Sequence, residues 1–360
     1  MVRCDRARHA RPSARSNWSS SRATSQRFFD FALALQEHIP LRLCNVGRAD
    51  RGHALATPSM IAAVHAPRIK LDRDIDVDAG FRLVVQSCIM QIQGNEHGIS
   101  RGDNPEMVHQ MRVGIRRLRS ALRLFSGCVA MPASLRDELN WLANELGPAR
   151  DAEILCDVTL PTLVAVSGTQ EKLDLLQHAL RGAVVARRQR AATVVDSVRY
   201  SRLMLGLGAW LEGSRWRTPL DESARRGLAK PLRKQVPALL SRLHKNLLKA
   251  GKGLANATPD ERHRARIAAK RLRYAAEFFE SLLPRARIAR YIERLAALQD
   301  LLGRLNDAAV GDGLLREAEQ SDPALVHDAS LARRCLLAAA QRDVDGLRAV
   351  WRRFKSTSGP

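Results

Sequence analysis

The chain has 360 residues, 45% of them hydrophobic, enough for one large core or two smaller ones. Lys and Arg outnumber Asp and Glu by 59 to 37, a formal net charge of +22, and an excess of that size points to a polyanionic partner: nucleic acid, an anionic membrane surface or a phosphate polymer. Aromatic residues make up only 4%, which argues against recognition of single strands by base stacking.

Residues 1–27 hold seven Arg against one Asp with almost no apolar periodicity, and are expected to be a disordered basic arm. Periodicity predicts a short helix over Phe28–His38, and residues 57–74, with Pro58 and Pro67, read as a linker. From Ile75 onward the pattern is helical. Asp78–Gln93 carries Phe81, Val84, Val85, Cys88, Ile89 and Ile92 on one side. Next comes a loop over Gly94–Pro105, with Asp103 or Asn104 placed to cap the helix after it. Ser134–Leu146 is a further helix that Gly147-Pro148 should end, followed by Ala149–Val166, Gln170–Val198 and Tyr200–Glu212. In the second half, Val236–Leu254 places Arg242, Lys245, Lys249 and Lys252 on one stripe. Thr258-Pro259 with Glu261 is a start signal for the next helix, which Pro284 stops. Arg287–Gly303, Asn306–Glu319 and Val326–Phe354 complete the set, and residues 355–360 should fray. The expected fold is all-α, with residues 75–213 and 221–354 as its two halves.

The most informative stretch is VHQMRVGIRRLRSALRLF, Val108–Phe125. On a helix, His109, Arg112, Arg116, Arg119 and Arg123 fall within roughly 80° as one basic stripe, while Met111, Ile115, Leu118, Leu122 and Phe125 form an apolar stripe opposite. No Asp or Glu interrupts it. Solvated helix faces usually mix signs at i,i+4 spacing, so the uncompensated charge calls for a partner outside the helix.

RHRARIAAKRLRYAAEFF, Arg262–Phe279, aligns on that stretch without gaps, again with His263, Arg266, Lys270 and Arg273 on one stripe. A second block follows each copy, LGPARDAE at Leu146–Glu153 and LGRLNDAA at Leu302–Ala309. His109 precedes Asp151 by 42 residues and His263 precedes Asp307 by 44, which reads as a tandem duplication. Two helical bundles of about four helices each, related by the duplication and each carrying one basic stripe, are therefore expected.

HQMRVGIRRLR and HRARIAAKRLR, with ELGPARDA and LLGRLNDA downstream, resemble the CHAD domain (conserved histidine α-helical domain) from about Ile75 to Phe354. The resemblance implies two four-helix bundles around a basic cleft that binds inorganic polyphosphate without catalysis. It also implies gathering on polyphosphate granules, with granule proteins as further partners. Carried over residue by residue, the contacts are His109, Arg112, Arg116, Arg119 and Arg123 in the first copy. In the second they are His263, Arg266, Lys270 and Arg273, with Arg242, Lys245, Lys249 and Lys252 on the helix before it and, more weakly, Arg181 and Arg188. One departure is Gly114, where Ala is expected, at about 1 kcal/mol in helix propensity. Residues 28–56 resemble the tail of a CYTH domain, the triphosphate tunnel fold, but no ExExK strand is present and no tunnel enzyme is expected.

Guanidinium forks match phosphate oxygens bidentately, Lys adds point charge, and no base has to be read. Arg117 and Arg271 lie off the stripes, where pairing with Asp151 and Asp307 is expected. His109 and His263 have three readings: a protonated phosphate ligand, a metal ligand, or a packed helix histidine. Neither has a histidine or carboxylate four residues on, so metal is disfavoured, and no acid–base pair stands at readable spacing. Nonspecific nucleic-acid binding and a metal-assisted phosphohydrolase or phosphotransferase are the competing classes. Six cysteines show no CxxC pair and no metal spacing, no cofactor motif is present, and no apolar run is long enough for a membrane span. A cytoplasmic location is expected.

Overall fold

The computed structural model describes residues 18–41, 62–101, 104–167, 173–357 and 359, with side chains from Ser25 onward. Among these residues there is no strand, only a single bridge between Asp76 and Pro231. The helices are α1 (Trp18–Gln36), α2 (Val77–Gln93), α3 (Glu96–Arg101), α4 (Pro105–Leu124) and α5 (Ala133–Glu153). A π-helical turn (Ile154–Thr159) leads from α5 into α6 (Leu160–Ser167), followed by α7 (Asp174–Asp196), α8 (Val198–Glu212) and α9 (Glu222–Leu228). The second half continues with α10 (Leu232–Ala250), α11 (Pro259–Phe278), α12 (Arg285–Ser321) and α13 (Val326–Lys355).

Both basic helices begin where the capping signals place them. The Asn104 side chain accepts from the Glu106 amide at 2.9 Å, with Pro105 at the first turn of α4. Thr258 and Glu261 form a reciprocal capping box on α11: the Thr258 amide donates to Glu261 Oε2 at 2.8 Å, and the Glu261 amide to Thr258 Oγ1 at 3.3 Å. Each basic helix packs between two others, α4 between α2 and α5, α11 between α10 and α12. α4 and α11 also pack on each other. There the side chains of Phe125 and Phe279 meet edge to face, ring centroids 6.1 Å apart, and Phe125 continues into a fully buried aromatic group of Phe81, Trp210 and Trp216. One apolar core runs through both halves, from Leu71 to Phe354. A second, smaller one joins α6 and α7 to the far ends of α12 and α13.

Several boundaries differ from the sequence expectation. α1 starts at Trp18, so part of the arm expected to be disordered is helical, and Phe29 packs beside Gly208 of α8. The CYTH-like tail beyond residue 41 lies outside the described residues. α5 does not stop at Gly147-Pro148 but runs through both to Glu153. Pro148 lacks the N–H that would reach back to Asn144, yet buried Leu146, Ala149 and Ala152 hold the helix together across the gap. α12 likewise continues through Gly303 for 37 residues, because Leu298, Leu301, Leu302 and Leu305 around it are buried. Packing outweighs the roughly 1 kcal/mol propensity cost of glycine. The C-terminus is tied rather than frayed as far as Thr357, whose hydroxyl accepts from Arg294 at 2.9 Å.

Gly114 is the close-approach point of α4 on α2. A Cβ there meets Ile92 Cγ1 at 2.9 Å, the Ile92 amide nitrogen at 3.2 Å and the Cys88 carbonyl oxygen at 3.4 Å. Backbone cannot move aside as a flexible side chain can. Gly114→Ala should therefore destabilise the protein by about 1–3 kcal/mol, overriding the ~1 kcal/mol it gains in helix propensity. Urea unfolding of the two proteins measures it; a neutral or stabilising change contradicts the packing argument.

Candidate functional site

The crossing of α4 and α11 leaves a cleft of about 900 Å³ walled by four elements. α4 contributes His109, Gln110, Val113, Arg116 and Arg117, and α11 contributes Arg266, Lys270, Arg273, Tyr274 and Glu277. α12 supplies a third wall that includes Asp300, Gly303, Arg304 and Asp307. The fourth is the extended segment His65-Ala66-Pro67-Arg68. Part of each basic stripe thus meets at one site, His109 and Arg116 from the first and Arg266, Lys270 and Arg273 from the second.

Arg112 and Arg266, not Arg117 and Arg271, face the two aspartates. Arg112 Nη2 lies 3.8 Å from Asp151 Oδ1, and Arg266 Nη2 lies 3.8 Å from Asp307 Oδ1. These are ion pairs without hydrogen-bond contact. Arg117 instead points toward α2 and is buried. Its Nη1 donates to Gln91 Oε1 at 2.9 Å, and its guanidinium stacks on the Phe278 ring at 5.2 Å. Arg271 is half-buried with no acidic partner among the described residues. The downstream blocks explain their own composition here. Arg112 Nη1 lies 2.9 Å from where a Cβ on Gly147 would stand, and it donates to the Ala143 carbonyl at 3.3 Å. Gly147 gives the guanidinium room, and Asp151, one turn on, meets it.

Arg116 and Lys270 have no carboxylate partner among the described residues. The Nε atoms of Arg112, Arg116 and Arg266 and the Nδ1 of His109 are buried without a hydrogen-bond acceptor. Burial, reinforced by Arg266 and Arg116, pushes the Lys270 ammonium from its ordinary 10.5 down to about 7. Burial, then Arg150, holds His109 near 4, so the imidazole is neutral at pH 7. The phosphate-ligand reading therefore requires an anion beside the ring to raise that value. Arg112 and Arg266 are both pulled below the usual guanidinium range, first by burial, despite their aspartates. Burial also raises the Asp151 carboxyl, against the opposing pull of Arg112.

The cleft is not uniformly basic. Glu277, Glu280, Glu293, Asp300 and Asp307 also line it. Glu277 pairs with Arg273 at 2.7 Å, and Arg304 turns away to Asp343 at 2.7 Å. The cation-rich part is the floor around Arg116, Arg266 and Lys270. His263 stands outside the cleft, exposed, with Nδ1 3.1 Å from Asn306 Oδ1. Asn306 takes the place that Arg150 takes beside His109, so the two histidines of the repeat have different surroundings. Arg119, Arg123, Lys245, Lys249 and Lys252 are exposed and away from the cleft walls, and Arg242 lines a separate hollow with Phe125 and Cys128. Arg188 is already engaged by buried Glu153 at 2.7 Å and by Asp157 at 3.5 Å. Arg181, exposed on the same helix, influences Cys156. Sequence reasoning missed His65 and Arg68; the basic side chains around Pro67 were their signal. Among the described residues no three His, Cys, Asp or Glu side chains gather as a potential metal site, and no helix is long and apolar enough to cross a membrane.

Residues 83–316 match the CHAD domain family. The fold is similar to the crystal structure of the CHAD domain from the plant Ricinus communis, with a TM-score of 0.72 and 36% identity over 83% of this chain and 99% of that one. It is also similar to PptA from Streptomyces chartreusis, with a TM-score of 0.59 and 15% identity over 78% and 99% of the two chains, a likeness of fold alone. Two uncharacterized proteins of Mycobacterium tuberculosis, from strains CDC 1551 / Oshkosh and H37Rv, are 28% and 27% identical over 86% of this chain. The match spans 62% of the length of those relatives.

The depressed Lys270 ammonium ties stability to pH. The unfolded chain keeps its proton up to 10.5, whereas the folded one sheds it near 7. The unfolded state thus binds more protons between those values, and this group makes the free protein more stable as pH rises through that window. Lys270→Met should raise the melting temperature of the free protein at pH 6 by roughly 2 °C and flatten the rise above pH 7. Thermal melts across pH 6–10 test both; a lower melting temperature at pH 6 contradicts the cost of burying this ammonium beside Arg266 and Arg116.

Proposed function

The chain belongs to the CHAD domain family, and from that footing we propose that the α4/α11 cleft binds inorganic polyphosphate, as a binding module without catalysis. The observation that carries this reading is the floor of the cleft. Arg116 and Lys270, one from each basic helix, lie there beside Arg266 with no carboxylate of their own. The energy of holding like charges together in a half-buried site is recovered when an anion enters. A phosphate chain has only oxygens to offer, which guanidinium forks and an amine suit. A narrow cleft fits a thin flexible chain better than a duplex, which is a stiff rod. The paired carboxylates Asp151 and Asp307 orient Arg112 and Arg266 in this reading and transfer no proton. Placement on polyphosphate granules follows from the same affinity.

Nonspecific nucleic-acid binding rests on a different observation, the exposed cations outside the cleft on α10 and the turn that follows it: Arg242, Lys245, Lys249 and Lys252. The two readings separate in one titration. Arg116→Ala/Lys270→Ala removes two charge-assisted contacts, each about 1.5–3 kcal/mol, and should weaken long-chain polyphosphate binding by at least ~100-fold. The log–log salt slope should fall by roughly 1.4. Duplex DNA binding should change little. Equal losses for both ligands, or wild-type polyphosphate affinity in the folded variant, overturn the cleft assignment, and phosphate release with a divalent metal overturns the absence of catalysis.

A further inference from the structure

The segment between Val64 and Leu71 was expected to be a linker, yet it is pinned at both ends by side chains from opposite halves of the fold. The Val64 amide donates to Asn95 Oδ1 at 3.0 Å and the Asn95 Nδ2 donates to the Val64 carbonyl at 2.9 Å. Asn95 is fully buried, held in turn by its Nδ2 to the Gln91 carbonyl at 2.7 Å. At the other end the Leu71 amide donates to Ser281 Oγ at 3.0 Å, and that hydroxyl faces the Leu71 carbonyl at 3.4 Å. Gly94 packs directly beneath Val64, where a Cβ meets the valine side chain at 2.9 Å. Each anchor satisfies both backbone groups of one residue with one side chain. Such a segment has few conformations left, even though most of it is exposed.

Between the anchors run His65, Ala66, Pro67, Arg68, Ile69 and Lys70. His65 through Arg68 line the same cleft as Arg116 and Lys270. Pro67 fixes one backbone dihedral and donates no hydrogen bond, which suits an extended wall. Neither His65 nor Arg68 has an acidic partner among the described residues, and Lys70, exposed on the same segment, is not part of the cleft wall. We propose that residues 65–68 form a third cationic contact surface of the anion site, in which Arg68 and His65 meet the bound phosphate chain opposite the floor of α4 and α11. The pinning by Asn95 and Ser281 holds that wall in place before the ligand arrives, so little ordering cost remains on binding. This rests on the polyphosphate reading of the same cleft.

Geometry, rather than charge alone, makes the testable difference. Arg68→Ala and Lys70→Ala each remove one exposed cation from the same six residues. Arg68→Ala should weaken long-chain polyphosphate binding about fivefold, and Lys70→Ala should leave it within twofold. Ser281→Ala removes no charge but frees one end of the wall, and should reproduce most of the Arg68→Ala loss. Titrations use the full chain, with circular dichroism to show that each variant is folded. Equal effects of Arg68→Ala and Lys70→Ala, or no effect of Arg68→Ala while Arg116→Ala/Lys270→Ala abolishes binding, overturn the wall and leave the cleft reading standing. If Arg116→Ala/Lys270→Ala also binds as wild type does, the cleft reading itself is what fails.

Discussion

The contact between α4 and α11 is the constraint on which the rest depends. Its apolar part is large: Phe125 against Phe279, and Arg117 laid on Phe278 in a pocket closed by α2. Burial of these groups, at about 1.5–3 kcal/mol for each large side chain, draws together two helices whose other faces repel. The cleft is the consequence. Arg116, Arg266 and Lys270 share one floor because the aromatic seam on the other side of the same helices leaves them no alternative. The seam works for stability and the floor against it, so the folded free protein stores an unfavourable charge density at one defined place.

The aspartates moderate that charge without cancelling it. At 3.8 Å, Asp151 and Asp307 are close enough to orient Arg112 and Arg266 but do not take up their N–H donors. Arg188, by contrast, is bound at 2.7 Å by buried Glu153, and Arg333 is shared between Asp312 and Glu319. Those arginines hold helices together with their charge already paired. Distance and burial of the acid separate the two kinds of arginine better than helix position does.

Much of this could be read from residue order, and the limits have physical causes. The helical class, both basic helices, their caps and the apolar stripes followed from spacing and capping chemistry, because those interactions are local. The convergence of the stripes was available only through the repeated motif. Pairing Arg117 with Asp151 failed because an angle on one helix does not say which neighbour stands there. α2 does, and it offers Gln91 instead. The helix stops at Gly147-Pro148 and Gly303 failed because buried leucines on either side outweigh local propensity. His65 and Arg68 were passed over because an extended segment has no periodicity to betray its face. Only the partners Asn95 and Ser281, 31 and 210 residues away, reveal that it has one.

The two halves differ at the position that matters most for charge. Lys270 stands where the first basic helix has Arg116. A guanidinium keeps its proton at any ordinary pH, whereas an amine can shed one when burial and neighbours press on it. With arginine at both positions, the free cleft would carry every charge permanently, and folding would bear the whole of the repulsion. With lysine, held near 7, the free site relaxes by releasing a proton. On the proposed reading a bound polyanion would reverse the balance, since its field favours the charged amine. His109, held near 4 by burial and then by Arg150, would respond in the same direction. On that reading the site would be least charged when empty and most charged when filled, and part of the electrostatic cost would move from folding to binding.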